Sequence, residues 1–326
     1  MNPPAPTAPP NQSGPTEALS VLFIGGCGRS GSTLVDRILG QSEGVVSVGE
    51  LTYLWRRGLM DDQECGCGEP FSRCPFWQEV GRIAFGGWSS VDADEMLRIQ
   101  ASVDRQRYLL LMMFPWLSRR FAANITTYRR TMGQLYLAIG RAAQASVVVD
   151  SSKHASDAFI LRRGLPVGFK LAHLVRDSRG VAYSWTKEVA KPENVHAGSH
   201  MRRFHPARMA IRWDVYNLLF HVLAWGRTPS MRVSYERLVE QPHDHVERIL
   251  SFAGADPGRV SYIDGRSVEL SATHTVAGNP MRFRVGRMEL KIDDEWERAL
   301  RGWRRRWVTW LTWPLLRWYG YPVGRA

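Results

Sequence analysis

GGCGRSGSTL, residues 25–34, decides how the rest of the chain is read. Gly26 and Gly31 have the spacing of the nucleotide-hydrolase loop GxxxxGK[ST], but Ser32 stands where that loop carries its lysine. The preceding run LSVLFIG (19–25) is apolar throughout, as expected of a strand buried on both faces, and 33–39 has apolar residues at helical spacing. Strand, glycine loop and helix in that order aim backbone amides and a helix N-terminus at an anion. Gly28 and Gly31 permit close backbone approach, Ser32 and Thr33 offer hydroxyls, and Arg29 can place a planar cation on the ligand. Taken alone, the same residues also suit an ordinary turn between strand and helix.

Apolar runs recur at 45–48, 146–149, 169–175 and 231–233, with helical patterns at 91–114, 124–144, 155–163, 178–190, 207–225 and 236–253. This alternation predicts an α/β fold, a single P-loop-like domain whose central parallel sheet is flanked by helices. The domain is expected over 18–326, with a Cys-containing insertion at 61–78 and a Trp/Arg-rich helical end at 293–318. Ahead of it, residues 1–17 form a Pro-rich tail that reads as disordered. No apolar stretch reaches the roughly 20 residues needed to span a bilayer, so a cytoplasmic location is expected. A net charge of +12, from 43 basic and 31 acidic residues, favours anionic partners. No nucleic-acid-reading motif is present, so nucleic acid is not among the expected partners.

A second station is LVRDSRGVAYSW (174–185). Arg176 ends a buried strand at the edge where parallel sheets bind ligands, and Ser184 lies about two turns into the following helix. With the first loop, this stretch resembles the two cofactor motifs of sulfotransferases that use 3′-phosphoadenosine 5′-phosphosulfate (PAPS). More closely, the chain is similar to the bacterial branch related to tyrosylprotein sulfotransferases, in which arginine replaces the loop lysine of the cytosolic enzymes. The resemblance implies that Gly28, Arg29, Ser30, Gly31, Ser32 and Thr33 bind the 5′-phosphosulfate, and that Arg176 and Ser184 bind the 3′-phosphate. It also implies transfer of a sulfuryl group to a hydroxyl or amine without a metal. The acceptor (carbohydrate, lipid, metabolite or peptide) is not legible.

The resemblance assigns three catalytic residues. Glu50, in VGE after the 45–48 run, corresponds to the general base of that branch, although by itself it reads equally as a first-turn acid of a helix. Lys153, in DSSK, would stabilise the bridging oxygen, as would Arg29. His154 competes as a base, since cytosolic sulfotransferases use a histidine; Lys153 beside it would lower its pKa. His173 lies inside an apolar strand and reads as a satisfied core residue. Tyr235, in YERL, corresponds to a tyrosine near the adenine and 3′-phosphate, or packs at a strand-to-helix corner. Arg282 and Arg284 fall in a segment that closes over the nucleotide in the branch.

Cys65, Cys67 and Cys74 have no evident fourth ligand and no standard zinc-finger spacing, so no metal is expected there. Cys27 reads as a small filler with incidental redox sensitivity. Trp303, Trp307 and Trp310 recur at helical spacing beside Arg304, Arg305 and Arg306. The stripe is expected to pack on the protein's own sheet, with Pro314 breaking the pattern, although such a helix also suits peripheral contact with an anionic membrane. Two other classes compete. A P-loop kinase or hydrolase would use Asp150 to hold Mg²⁺, and a non-catalytic basic module would dock on membranes or nucleic acid.

Overall fold

Ser20–Gly26 (β1) is buried along its whole length because its two faces meet two cores. Val21 and Phe23 belong to one apolar cluster, Leu22 and Ile24 to the other. The computed structural model describes residues 19–187, 204–258 and 260–323. The Pro-rich tail at 1–17 lies outside the described residues.

With β2 (Val45–Gly49), β3 (Val147–Lys153), β4 (Gly168–Val175) and β5 (Ser230–Ser234), β1 forms a parallel sheet in the order β2-β3-β1-β4-β5. Each strand therefore ends at the same edge. Helix α1 (Ser32–Leu39) starts directly after the glycine loop. Helices α2 (Pro75–Phe85), α3 (Ala93–Val103) and α4 (Leu109–Met113) occupy the long connection from β2 to β3, which ends in α5 (Arg119–Ala143). Ser118 caps α5 by accepting from the Phe121 amide. Then follow α6 (Ala155–Leu161), α7 (Ser178–Ser184), α8 (Pro206–Trp225), α9 (Tyr235–Glu240) and α10 (Pro242–Ala253). Residues of α1 and α10 cover one face of the sheet, and those of α5, α6 and α8 cover the other.

Several expected boundaries move. The single helix expected at 91–114 ends at Val103, where Asp104 leaves helical geometry, and resumes only briefly as α4. The helix at 236–253 is divided because Pro242 cannot donate to the preceding turn and instead opens α10. Residues 188–190 of the helix expected at 178–190 lie outside the described residues.

The C-terminal part is more ordered than expected. Ile263–Asp264 (β6), Ser267–Leu270 (β7) and Gly286–Glu289 (β8) form a small antiparallel sheet. Its strands are too short for a period-two pattern to register. Helix α11 (Glu295–Ala299) precedes α12 (Trp303–Tyr319), which continues through Pro314. The face of α12 that packs inward is Val308, Thr312, Leu315 and Leu316. The tryptophan stripe points outward instead, with Trp303 57%, Trp307 50% and Trp310 64% exposed. The expectation that this stripe packs on the sheet is thus overturned. Among the described residues, no helix is long and apolar enough to cross a membrane.

Candidate active site

Each strand of the parallel sheet delivers one singled-out residue to the common edge. In sheet order, Glu50 follows β2, Lys153 closes β3, Arg29 lies after β1, Arg176 follows β4 and Tyr235 follows β5. They line one cavity of about 550 Å³ together with Gly28, Gly31, Ser32, Thr33 and Ser184, a volume typical of small-ligand sites.

The loop is built for close approach. Gly31 has φ +90°, and a Cβ there would stand 2.4 Å from the Tyr235 ring. A Cβ on Gly26 would stand 2.4 Å from the Leu174 carbonyl oxygen, so β4 also fixes the loop's path. The Ser30 amide closes a turn onto the Cys27 carbonyl, 3.2 Å away. The Ser30 side chain is buried and does not line the cavity. The first amides of α1, like those of any helix, lack intrahelical partners.

Arg29 and Lys153 both hold left-handed backbone, with φ 74° and 56°. For residues other than glycine this conformation costs on the order of 1–3 kcal/mol and persists where neighbours over-determine it. Both pairings of β3 slip register, with β2 between Val149 and Asp150 and with β1 between Asp150 and Lys153, the kind of irregularity that re-aims side chains beside functional sites. Lys153 Nζ donates to Glu50 Oε1, and the pair is largely buried. The Glu50 amide is in turn held by the Ala277 carbonyl at 3.3 Å. Burial pulls the Arg29 guanidinium down from its ordinary pKa, while the Glu50 carboxylate works against that.

Arg176 is fixed before any ligand arrives. Its Nη1 donates to the Arg29 carbonyl and its Nη2 to Asp293 Oδ2, both at 3.0 Å, and its guanidinium lies 4.8 Å from the Tyr235 ring centre. Asp177 caps α7 and grips Arg179 through both carboxylate oxygens, so of the two arginines beside it Arg176 is the one that lines the cavity.

Trp185, which ends the second motif, also lines the cavity, as do Tyr53, Arg57, Phe204 and Arg212, which belong to no motif. Arg57 lies over Tyr53, and Trp185 Nε1 donates to the Gly28 carbonyl at 3.1 Å. The arginine abundance of the chain conceals Arg57 and Arg212. With Arg29, Lys153 and Arg176 they oppose, among the described residues, a single lining carboxylate, Glu50, so this lining suits a ligand with several negative charges.

Three expected residues stand elsewhere. Arg282 is buried away from the cavity, its Nη1 donating to the Thr275 carbonyl (2.9 Å) and its Nη2 to the Glu64 carbonyl (2.7 Å). Burial pushes its pKa down to about 10. Arg284 is exposed and meets Arg37 through its backbone carbonyl. His154 does not line the cavity; its Nε2 is 3.4 Å from the Tyr53 hydroxyl, and burial, more than Lys153, lowers its pKa. His173 is a core residue as expected, 2.8 Å from Asn217 Oδ1. The Cys27 thiol is 2% exposed and pushed up to about 12 by burial, which argues against redox sensitivity.

Asp150, the Mg²⁺ ligand of the kinase reading, accepts from the Ser152 amide, the Ser152 hydroxyl and the Tyr136 hydroxyl (2.8, 2.5 and 2.6 Å). It is fully buried and absent from the cavity wall, so the kinase reading loses its metal ligand.

The model of the sulfotransferase family matches residues 22–257. No curated protein matches the chain. Among solved structures, the chain is similar to the sulfotransferase domain of the olefin synthase from Synechococcus PCC 7002, at 20% identity over 94% of this chain and 96% of that one, with a TM-score of 0.48. It is also similar to the sulfotransferase domain from the curacin biosynthetic pathway, at 16% identity over 94% and 99%, with a TM-score of 0.48.

Proposed function

The chain belongs to the sulfotransferase family, and from that premise we propose that it moves the sulfuryl group of PAPS to an acceptor hydroxyl or amine by in-line displacement. The observation that carries the proposal is the Glu50–Lys153 pair, set beside the glycine loop in a cavity with four further cations. The loop fits a phosphosulfate because its glycines leave no room for side chains and its helix start offers unpaired amides.

Gly28, Gly31, Ser32 and Thr33 hold the 5′-phosphosulfate, with Arg29 on its oxygens. Arg176 and Ser184 hold the 3′-phosphate, and Tyr235 flanks it. Glu50 takes the proton of the acceptor hydroxyl as its oxygen attacks sulfur. The bond from sulfur to the bridging phosphate oxygen breaks, and Lys153 and Arg29 stabilise the charge left on that oxygen. The products are a sulfate ester and adenosine 3′,5′-bisphosphate. Lys153 thus changes partner during the reaction, from the Glu50 carboxylate to the leaving oxygen. Tyr53 and Arg57, from the long β2–β3 connection, bound the acceptor side. No step in this scheme calls on a metal.

Isothermal calorimetry with adenosine 3′,5′-bisphosphate, AMP and ATP tests the donor. Tight binding of the bisphosphate alone is expected, and equal affinity for ATP with Mg²⁺ would sink the assignment. The outward tryptophans of α12, beside Arg304, Arg305 and Arg306, also suit peripheral contact with an anionic membrane from the cytoplasm. Cosedimentation with phosphatidylserine vesicles but not phosphatidylcholine vesicles, lost on Trp307→Ser with Trp310→Ser, is the expected result; equal recovery with both lipids would refute the contact.

A further inference from the structure

The insertion expected to be metal-free acquires its missing partner from a distant segment. Cys65, Cys67, Cys74 and His274 bring their Sγ and imidazole nitrogen atoms within 4.8 Å of one another. Cys67 Sγ lies 3.7 Å from Cys74 Sγ, and His274 Nδ1 lies 3.3 Å from Cys74 Sγ and 3.8 Å from Cys65 Sγ. A tetrahedral zinc with Zn–S of about 2.3 Å and Zn–N of about 2.0 Å spaces its ligand atoms by about 3.8 Å (S to S) and about 3.5 Å (S to N). We propose that these four side chains hold a structural Zn²⁺ ion.

The surroundings are those of a built site. Backbone amides of Cys67, Glu69 and Trp77 lie beside the sulfurs of Cys65, Cys67 and Cys74 and favour their thiolate forms. The imidazole is oriented from two sides: Phe76 stacks on it at 4.8 Å, and Trp77 Nε1 donates to the His274 carbonyl at 3.0 Å. The two segments are docked through backbone as well. The Gly66 amide donates to the Thr275 carbonyl at 2.9 Å, and a Cβ on Gly66 would stand 2.5 Å from the Thr273 carbonyl oxygen. Three thiolates on a divalent ion leave one net negative charge. Arg282 supplies the opposite charge, since its guanidinium binds the carbonyls of Glu64, next to Cys65, and Thr275, next to His274.

Three thiolates and one imidazole select zinc among the common divalent ions, and four protein ligands leave no open position for chemistry. The ion would act through architecture. The segment that follows His274 donates from Val276 to the Val48 carbonyl and accepts at Ala277 from the Glu50 amide, then supplies Gly278, Asn279 and Met281 to the cavity. Zinc would tie the insertion to the wall that holds the general base.

Full-length protein, purified without chelator, should contain about one zinc per chain by plasma mass spectrometry. That zinc should be released to a chromogenic chelator only as the three thiols are titrated with an organomercurial. Refolding with Co²⁺ in its place should give the visible d–d bands of a tetrahedral centre with thiolate-to-cobalt charge transfer. Cys67→Ser, at the least buried of the three thiols, should weaken both signals. Metal-free protein with freely reactive thiols would overturn the proposal. So would a Cys67–Cys74 disulfide in a non-reducing peptide map, or zinc that dilute EDTA strips without changing the melting temperature.

Discussion

The carboxyl edge of the parallel sheet and the thiol–imidazole cluster are both assemblies of residues far apart in sequence, yet they differ in how the chain brings them together. At the sheet edge the assembly rule is general. Glu50, Lys153, Arg29, Arg176 and Tyr235 each follow or close a different strand, and parallel pairing puts every such end on one side. Recognising each strand separately is enough to collect the residues. The cluster has no such rule: Cys65, Cys67 and Cys74 are joined by His274, 200 residues beyond Cys74, through docking of one irregular segment on another. Chemistry at element ends can be read locally, whereas chemistry between loops becomes visible only when the loops are placed.

The largest expected effect separates the two regions by function. Glu50→Gln keeps the shape of the side chain but removes the proposed proton acceptor. Turnover with PAPS should fall by about 10²–10⁴-fold, the usual worth of a general base. Affinity for adenosine 3′,5′-bisphosphate and zinc content should both stay at wild-type values. Sulfuryl transfer assays beside calorimetry and metal analysis check this. Retention of turnover would return Glu50 to the role of a first-turn acid and leave the edge without a base.

The same contrast explains what else was legible. The inner strands of the parallel sheet announced themselves because burial on both faces demands continuous apolar runs, as in SVVV before Asp150; the edge strand β5, with Arg232 exposed at its centre, gives a weaker signal. Arg29 and Lys153 were found by motif, but their left-handed backbone was not, since nothing local to either residue asks for it. Strands β6 to β8 passed unnoticed because two to four residues cannot display a period. Helix α12 outlasted Pro314 for a packing reason. Proline removes one amide donor, at a cost of roughly 3 kcal/mol in a helix interior. The carbonyl it leaves belongs to Trp310, on the solvent side, where water can serve it, while Leu315 and Leu316 continue the buried face beyond the break. The identity of the inward face was likewise hidden, because Trp303, Trp307 and Trp310 recur at helical spacing and read as the apolar face in place of Val308, Thr312, Leu315 and Leu316.

Arg282 stands between the two regions and gives the smaller but sharper test. Its motif context suggested a phosphate contact at the edge, and its geometry instead clamps the two segments that carry Cys65 and His274. Arg282→Met preserves length and removes both hydrogen bonds; the Thr275 carbonyl keeps the Gly66 amide, while the part-buried Glu64 carbonyl loses its guanidinium donor, at about 1–3 kcal/mol. The variant should melt several degrees lower and exchange zinc faster, while the bisphosphate dissociation constant changes less than about two-fold, a shift under 0.5 kcal/mol. A phosphate ligand would show the reverse: affinity lost by ten-fold or more, the value of a charge-assisted contact, with the melting temperature of the free protein nearly unchanged. Thermal unfolding and calorimetry on the same preparation distinguish the two. The clamp outcome would also locate the mechanical link between the regions in a guanidinium, since Arg282 joins the loop of the insertion to the segment that holds the Glu50 amide.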